Sequence, residues 1–180
     1  MSASARVAVI ARPEFEPEDR AWIDALRSAH DPQAARIGPH VTLAFPAPVT
    51  LAAAREELTS TAAECAPFAC TFDAVLAVRE PGTDGGHVYF VPSAGRAQLE
   101  RLHDRLYLGA FRPHFRAEPR YVPHVTLGAH AEFARCVELA ERLERESRVV
   151  RAVVTELELV DASVARVAVL ARARLADPAR

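Results

Sequence analysis

The five-residue sequence Pro-His-Val-Thr-Leu occurs twice in this chain of 180 residues, at 39–43 and at 123–127. A duplicated segment indicates two similar structural units, which restricts the folds that the chain can adopt. Side chains alternate between the faces of a β-strand, so each copy would place histidine and threonine on one face and valine and leucine on the other. We therefore predict two equivalent strands, each with one polar face and one buried face.

The elements predicted around the two copies follow a similar order. Hydrophobic periodicity, turn residues and a capping threonine at Thr50 define them. The motif histidines, His40 and His124, are 84 positions apart, and the same offset carries the helix and strand after the first motif onto their later counterparts. The predicted helices are 17–30, 51–66, 95–108 and 131–147, and the predicted strands are 6–11, 39–46, 68–78, 87–91, 123–128, 149–159 and 163–170.

This order of elements predicts an α+β fold. We expect a bilobal, duplicated structure with pseudo-two-fold symmetry, in which two antiparallel sheets line a central groove and helices lie outside. A single domain would span 1–180, with lobes of about 1–94 and 95–180. A doubly wound parallel sheet is the rival fold, but the two hairpins predicted in the chain disfavour it.

Composition restricts the environment and the partners. Half of the residues are apolar and the formal net charge is −2, which argues against a protein that coats nucleic acid through bulk charge. Three cysteines give an odd count without a secreted-type framework. The sequence shows neither a signal-peptide core nor an apolar run long enough to span a membrane. We expect a cytoplasmic monomer without a membrane partner.

Two histidines that face each other are suited to acid and base catalysis. An unperturbed imidazole titrates near neutrality, so one can accept a proton while the other donates one. The hydroxyls of Thr42 and Thr126 can donate hydrogen bonds to the non-bridging oxygens of a phosphodiester held between the imidazoles. His40, Thr42, His124 and Thr126 are therefore the candidate catalytic residues, and this arrangement requires no metal.

The paired motifs resemble the two His-x-Thr-x motifs of the 2H phosphoesterase superfamily, whose bacterial branch is the 2'-5' RNA ligase or cyclic phosphodiesterase family. The resemblance covers the whole chain in length, order of elements and motif separation. It implies a bilobal fold, no cofactor, and a reaction on a phosphodiester or 2',3'-cyclic phosphate, with His40, Thr42, His124 and Thr126 as the four active-site residues. In some relatives the second-motif histidine activates water and the first protonates the leaving oxygen, which implies His124 as base and His40 as acid.

The resemblance leads us to predict a metal-independent phosphodiesterase. Its substrate would be a 2',3'-cyclic phosphate end or a small cyclic nucleotide, opened to a 2'-phosphate. Reversible 2'-5' RNA ligation is an alternative, for which the partner would be an RNA end with a 2'-5' linkage. A non-catalytic RNA-end or nucleotide-binding protein is a second alternative, and a metallohydrolase using His40, His124 and His87 is a third.

Substrate contacts are predicted outside the motifs. Tyr121 and Arg120 precede the second motif, where an aromatic face and a cation could contact a base and a phosphate. His87 and Tyr89 share one face of a predicted strand and would line the groove. The alternatives are a packed aromatic at Tyr121, a solvated loop at Arg120 and an exposed sheet edge at His87 and Tyr89. We expect His103, on a predicted helix, at the surface.

Overall fold

Two antiparallel sheets and four helices form the part of the chain that the computed structural model describes, residues 6–176. None of the helices in this range is long and apolar enough to cross a membrane. The helices are α1 (Pro17–His30), α2 (Leu51–Ala63), α3 (Arg96–Leu106) and α4 (Phe133–Glu146). The strands are β1 (Val7–Ala11), β2 (Glu14–Phe15), β3 (Val41–Ala47), β4 (Phe68–Arg79), β5 (Gly86–Ala94), β6 (Val125–His130), β7 (Val150–Val154), β8 (Glu156–Asp161) and β9 (Ala168–Arg174).

Each motif strand lies at the edge of a sheet. The first sheet has the order β3-β1-β8-β9 and the second has the order β2-β7-β4-β5-β6. Every neighbouring pair of strands in both sheets is antiparallel. The predicted α+β fold with two antiparallel sheets is confirmed, and the rival parallel sheet is wrong.

Strands from both halves of the sequence contribute to each sheet. β8 and β9 come from the second half and complete the sheet of β1 and β3, whereas β4 and β5 come from the first half and pair with β7 and β6 of the second half. The predicted lobes of about 1–94 and 95–180 therefore describe the sequence repeat and not the sheets. The ends of that predicted domain, 1–5 and 177–180, lie outside the described residues.

The helices pack in the same pattern around the two motif strands. α1 packs against β6, and its counterpart α3 packs against β3. α2 lies against β8 and β9, and α4 lies against β4 and β5. The buried side chains of α4 recur at helical spacing, at Cys136, Leu139, Ala140 and Leu143. Each half of the chain therefore supplies the helix that supports the other half's motif strand.

The C-terminal third differs most from the sequence prediction. Residues 149–159, predicted as one strand, form β7 and β8, which separate at Thr155 and belong to different sheets. β7 alternates between buried and exposed residues, whereas the central part of β8 is buried on both faces, and hydrophobicity alone does not reveal a change of sheet. The last strand begins at Ala168 and not at Ser163. The loop before it is held by the Arg36 guanidinium, which donates hydrogen bonds to the carbonyl oxygens of Ala162, Val164 and Ala165.

Equivalent burial in the two motif strands predicts equivalent effects on stability. Leu43 and Leu127 are both 0% exposed, so Leu43→Ala and Leu127→Ala should each lower the free energy of unfolding by about 2–5 kcal/mol. The control is Leu76→Ala on β4, because Leu76 is 44% exposed and should cost less than about 1 kcal/mol. Urea unfolding measures all three, and a cost near the control value for either motif variant would contradict the assigned packing.

Candidate active site

The two motifs adopt the same pattern of burial. In each, the proline, valine and leucine are buried, whereas the histidine and threonine are half-buried. His40 and Thr42 therefore share one face of the first motif segment, and His124 and Thr126 share one face of the second. The alternation predicted for both copies is confirmed, and the buried valine and leucine of each copy anchor the polar pair in the core.

Each motif imidazole is oriented by the backbone two residues before it. The Nδ1 atom of His40 lies 2.9 Å from the carbonyl oxygen of Gly38, and that of His124 lies 2.6 Å from the carbonyl oxygen of Val122. A carbonyl oxygen only accepts hydrogen bonds, so Nδ1 carries the proton in both rings. The intervening proline fixes φ and restricts the preceding residue to extended conformations. Both neutral imidazoles therefore keep the lone pair of Nε2 for chemistry.

The environment of His40 opposes its protonation. Burial lowers the pKa of His40 to about 4. The hydrogen bond to the Gly38 carbonyl favours the charged ring, the positive charges of Arg27 and Arg12 oppose it, and the carboxylate of Asp31 favours it. His40 is therefore neutral near pH 7 in the ligand-free protein.

His124 reaches the same protonation state in a different setting. Burial lowers the pKa of His124 to about 4, the bond to the Val122 carbonyl favours the charged ring, and positive charge on His40 or His87 opposes it. Because positive charge on His40 lowers the pKa of His124, the two imidazoles are close enough to interact electrostatically. An anion bound between them would favour a single shared proton.

Tyr89 packs between two histidines. Its ring stacks on His124 with 3.4 Å between ring centroids, and His87 stacks on Tyr89 at 5.9 Å. Tyr89 is paired with Thr126 across β5 and β6, so the expected common face of His87, Tyr89 and the second motif is observed. Because Tyr89 separates the two imidazoles, His87 and His124 do not converge as metal ligands. No cluster of three His, Cys, Asp or Glu side chains suited to a metal ion occurs within residues 6–176.

A cavity of about 380 Å³ adjoins His124. Its wall contains all four side chains that the sequence suggested for substrate binding, Tyr121, Arg120, His87 and Tyr89. Arg120 is exposed to solvent, whereas the other three are half-buried. The remaining three motif residues are not part of the wall, so the cavity lies beside the second motif and does not enclose both.

Tyr121 and His103 hold the first motif strand from the outside. The hydroxyl of Tyr121 donates a hydrogen bond of 2.9 Å to the carbonyl oxygen of Thr42, and Nδ1–H of His103 donates one of 2.7 Å to that of Leu43. The two rings stack at 3.7 Å. Tyr121 therefore packs against the motif strand and also lines the cavity.

The surface position expected for His103 is wrong, because only 4% of the residue is exposed. Its buried neighbours on α3 are Leu99, Leu102 and Leu106, which recur at the spacing of one helix face. This spacing is the sequence signal from which the inner position of His103 could have been predicted. A polar residue on such a face needs a buried hydrogen-bond partner, which the carbonyl of Leu43 supplies.

The chain is similar to one protein family and to several solved structures. The family model described as the 2'-5' RNA ligase superfamily matches residues 15–166. Escherichia coli LigT, crystallised with 3'-AMP, is 23% identical, with a TM-score of 0.63 over 96% of this chain and 99% of that chain. TT0787 of Thermus thermophilus is 17% identical, with a TM-score of 0.65 over 96% and 98%. Kluyveromyces marxianus Usb1 is 13% identical, with a TM-score of 0.57 over 94% and 99%. These structures share the fold, and no curated protein gave a significant match.

The lowered histidine pKa values predict that acid destabilises the fold. Unfolded histidines titrate near pH 6.5, whereas His40 and His124 titrate near 4 in the folded protein. The unfolded state binds more protons between these values, so the free energy of unfolding falls as pH falls through this window. Between about pH 7 and about pH 5, the variant H40A/H124A should lose about 2–4 kcal/mol less stability than the native protein. Urea unfolding at both pH values measures the loss of stability. An equal loss in the native protein and in the variant would contradict the buried environments assigned to His40 and His124.

Proposed function

Because this chain belongs to the 2'-5' RNA ligase superfamily, we propose that it is a metal-independent phosphodiesterase that opens a 2',3'-cyclic phosphate to a 2'-phosphate. Membership of this superfamily supports a phosphoesterase or ligase role. The arrangement of the site supports the more specific proposal, the opening of a 2',3'-cyclic phosphate. The observation that carries it is the repeated geometry of His40 and His124. Both imidazoles donate Nδ1–H to a backbone carbonyl and keep Nε2 for proton transfer.

The reaction requires one neutral and one protonated imidazole. Nε2 of His124 accepts a proton from water as the water oxygen attacks phosphorus. The bond between phosphorus and the 3'-oxygen breaks, and Nε2–H of His40 gives its proton to that oxygen, so the phosphate stays on the 2'-oxygen. The hydroxyls of Thr42 and Thr126 donate to the non-bridging oxygens, whose charge grows in the transition state. Proton exchange with solvent then restores the starting state of both histidines.

The assignment of base and acid rests on the family resemblance. The pKa values of His40 and His124 are both lowered to about 4, so their environments do not distinguish the two roles. A bound cyclic phosphate carries a negative charge, which favours one proton on the pair. In ligation a 5'-hydroxyl replaces water: it gives its proton to His124 as its oxygen attacks phosphorus, the bond to the 3'-oxygen breaks with a proton from His40, and a 2'-5' linkage forms. The two roles are exchanged only in the cleavage of that linkage. The description of the family as 2'-5' RNA ligases makes ligation the second candidate.

The cavity beside His124 is the proposed site for the nucleoside. Structures of Escherichia coli LigT with 3'-AMP and with ATP show that a protein of this fold binds nucleotides. Tyr121 has one ring face covered by His103, whereas Tyr89 is stacked between His124 and His87. A base would therefore contact the uncovered face of Tyr121 and the edge of the Tyr89 ring. The exposed guanidinium of Arg120 lies in the same wall and could pair with a phosphate. We propose these three residues and His87 as substrate contacts.

Hydrolysis assays test the reaction class. The purified protein should convert 2',3'-cyclic nucleotides or a cyclic-phosphate-ended oligonucleotide to 2'-phosphates in the presence of EDTA, with products identified by phosphorus NMR. H40A and H124A should each lower the rate by about 10²–10⁴, whereas the control H130A, on the second motif strand but outside the motif, should keep it. Full activity in either motif variant would contradict the proposal. Binding of these substrates without hydrolysis of any of them would favour the alternative of a non-catalytic nucleotide-binding protein.

A substrate with an activated leaving group tests the roles of the two histidines. p-Nitrophenolate departs as an anion and needs no proton from an acid, so on a p-nitrophenyl phosphodiester the loss caused by H40A should shrink by at least about tenfold. The loss caused by H124A should stay the same on both substrates, because water must still be activated. The opposite pattern, read from the ratio of kcat values, would exchange the roles of acid and base.

A further inference from the structure

Two arginine side chains converge on the backbone beside the first motif. A β-carbon added to Gly38 would lie 3.2 Å from Nη1 of Arg12 and 3.3 Å from Nη2 of Arg20. Gly38 also supplies the carbonyl that orients His40. The two guanidinium groups therefore face one small volume next to a catalytic imidazole, although Arg12 follows β1 and Arg20 belongs to α1.

Arg12 is held in place by a buried carboxylate. Its Nε and Nη2 atoms donate hydrogen bonds of 3.1 and 2.8 Å to Oε2 of Glu158. Only 2% of Glu158 is exposed, and its other oxygen accepts a bond from Arg172. These bonds leave Nη1 as the terminal nitrogen of Arg12 that is directed at Gly38.

Arg20 forms a solvent-exposed ion pair within its own helix. Its Nε atom donates a hydrogen bond of 2.7 Å to Oδ2 of Asp24, one turn later on α1. Within residues 6–176, neither Nη1 of Arg12 nor the two terminal nitrogens of Arg20 has a hydrogen-bond acceptor. Each arginine is half of an ion pair, so the pair offers directed N–H donors with a modest excess of positive charge.

The residue type at position 38 fits this convergence. The backbone of Gly38 is not in the left-handed region reserved for glycine, so conformation alone does not demand a glycine. Contacts of 3.2 and 3.3 Å to a β-carbon would be tight, and a side chain would displace one or both guanidinium groups. The absence of a side chain leaves the space between the two cations open to a ligand.

We propose that Arg12 and Arg20 form an anion subsite for a second phosphate group of the substrate, distinct from the phosphate that reacts. The two guanidinium charges repel each other because they are directed at one small volume. A phosphate bound there would offset that repulsion and accept hydrogen bonds from the unused N–H groups. The subsite rests on the proposed function, since the reacting phosphate lies between the two motif histidines. It favours a substrate such as an oligonucleotide end or a 5'-phosphorylated cyclic nucleotide over an unphosphorylated one.

Paired substrates test the subsite. Adenosine 2',3'-cyclic phosphate is compared with its 5'-phosphorylated form and with a dinucleotide that ends in the same cyclic phosphate, which distinguishes a terminal phosphate from an internucleotide one. The native protein should prefer at least one phosphate-bearing substrate by about five- to tenfold in kcat/KM, through a lower KM. Arg20→Gln should reduce that preference to about twofold or less.

Matched variants separate the subsite from effects on folding. Arg96→Gln is the control for Arg20→Gln, because Arg96 forms a similar ion pair with Glu100 one turn later on α3, and it should keep the preference. Arg12→Lys retains a positive charge beside Glu158 and should reduce the preference as well. Thermal melts of all three variants verify that they are folded. An unchanged preference in both R20Q and R12K would overturn the subsite.

A binding measurement keeps the test independent of turnover. Calorimetry compares adenosine 2'-phosphate with adenosine 2',5'-bisphosphate on the native protein and on R20Q. The subsite is supported if the native protein binds the bisphosphate more tightly than the monophosphate and R20Q does not. This holds even if the native protein hydrolyses no cyclic phosphate, because the lack of hydrolysis would contradict only the proposed function. If the native protein binds adenosine 2'-phosphate and adenosine 2',5'-bisphosphate equally, and hydrolyses all three cyclic phosphates with equal kcat/KM, the subsite is overturned and the proposed function stays intact.

Discussion

The position of both motif strands depends on strands supplied by the opposite half of the chain. After Thr155 the chain leaves the second sheet and returns as β8 to pair with β1, whose other edge holds β3. The β4–β5 hairpin makes the reciprocal contribution from the first half, because β4 pairs with β7 and β5 pairs with the motif strand β6. Neither motif strand therefore belongs to a sheet built by its own half alone. Two similar units that remained separate would not form this pair of sheets, so the exchange of strands couples folding to assembly of the reaction centre.

The edge position of the motif strands also explains the hydrogen bonds around them. An edge strand leaves backbone groups unpaired, and these groups can pair with another chain unless they are covered. On the first motif strand, the carbonyl groups of Thr42 and Leu43 accept hydrogen bonds from Tyr121 and His103, and Phe45 N–H donates to the hydroxyl of Tyr107. These three aromatic or imidazole side chains come from the second half of the chain. They cover the edge and fix the strand that carries Thr42, which follows His40 by two residues.

Local features of this fold could be predicted from the sequence, and contacts between distant segments could not. The α1 boundaries and the Thr50 cap follow from short-range signals and are confirmed. The polar face of each motif follows from strand alternation. The change of sheet at Thr155 has no local signal, because no glycine or proline interrupts residues 150–161. Neither the stacking of Tyr89 on His124 nor the convergence of Arg12 and Arg20 on Gly38 could be predicted, since each depends on how separate elements meet.

The two halves of the site differ although their motifs are identical. Both imidazoles have the same tautomer and a similarly lowered pKa, so the repeated sequence gives the same local arrangement to both proposed proton-transfer groups. Their surroundings are unlike, because His124 stacks on Tyr89 beside an aromatic cavity, whereas His40 adjoins charged side chains. A symmetric pair of catalytic groups can serve either direction of phosphodiester chemistry, but an asymmetric environment orients the substrate. In the proposed reaction, the surroundings that break the symmetry, an aromatic cavity on one side and two arginines on the other, would determine which end of a nucleotide meets which histidine.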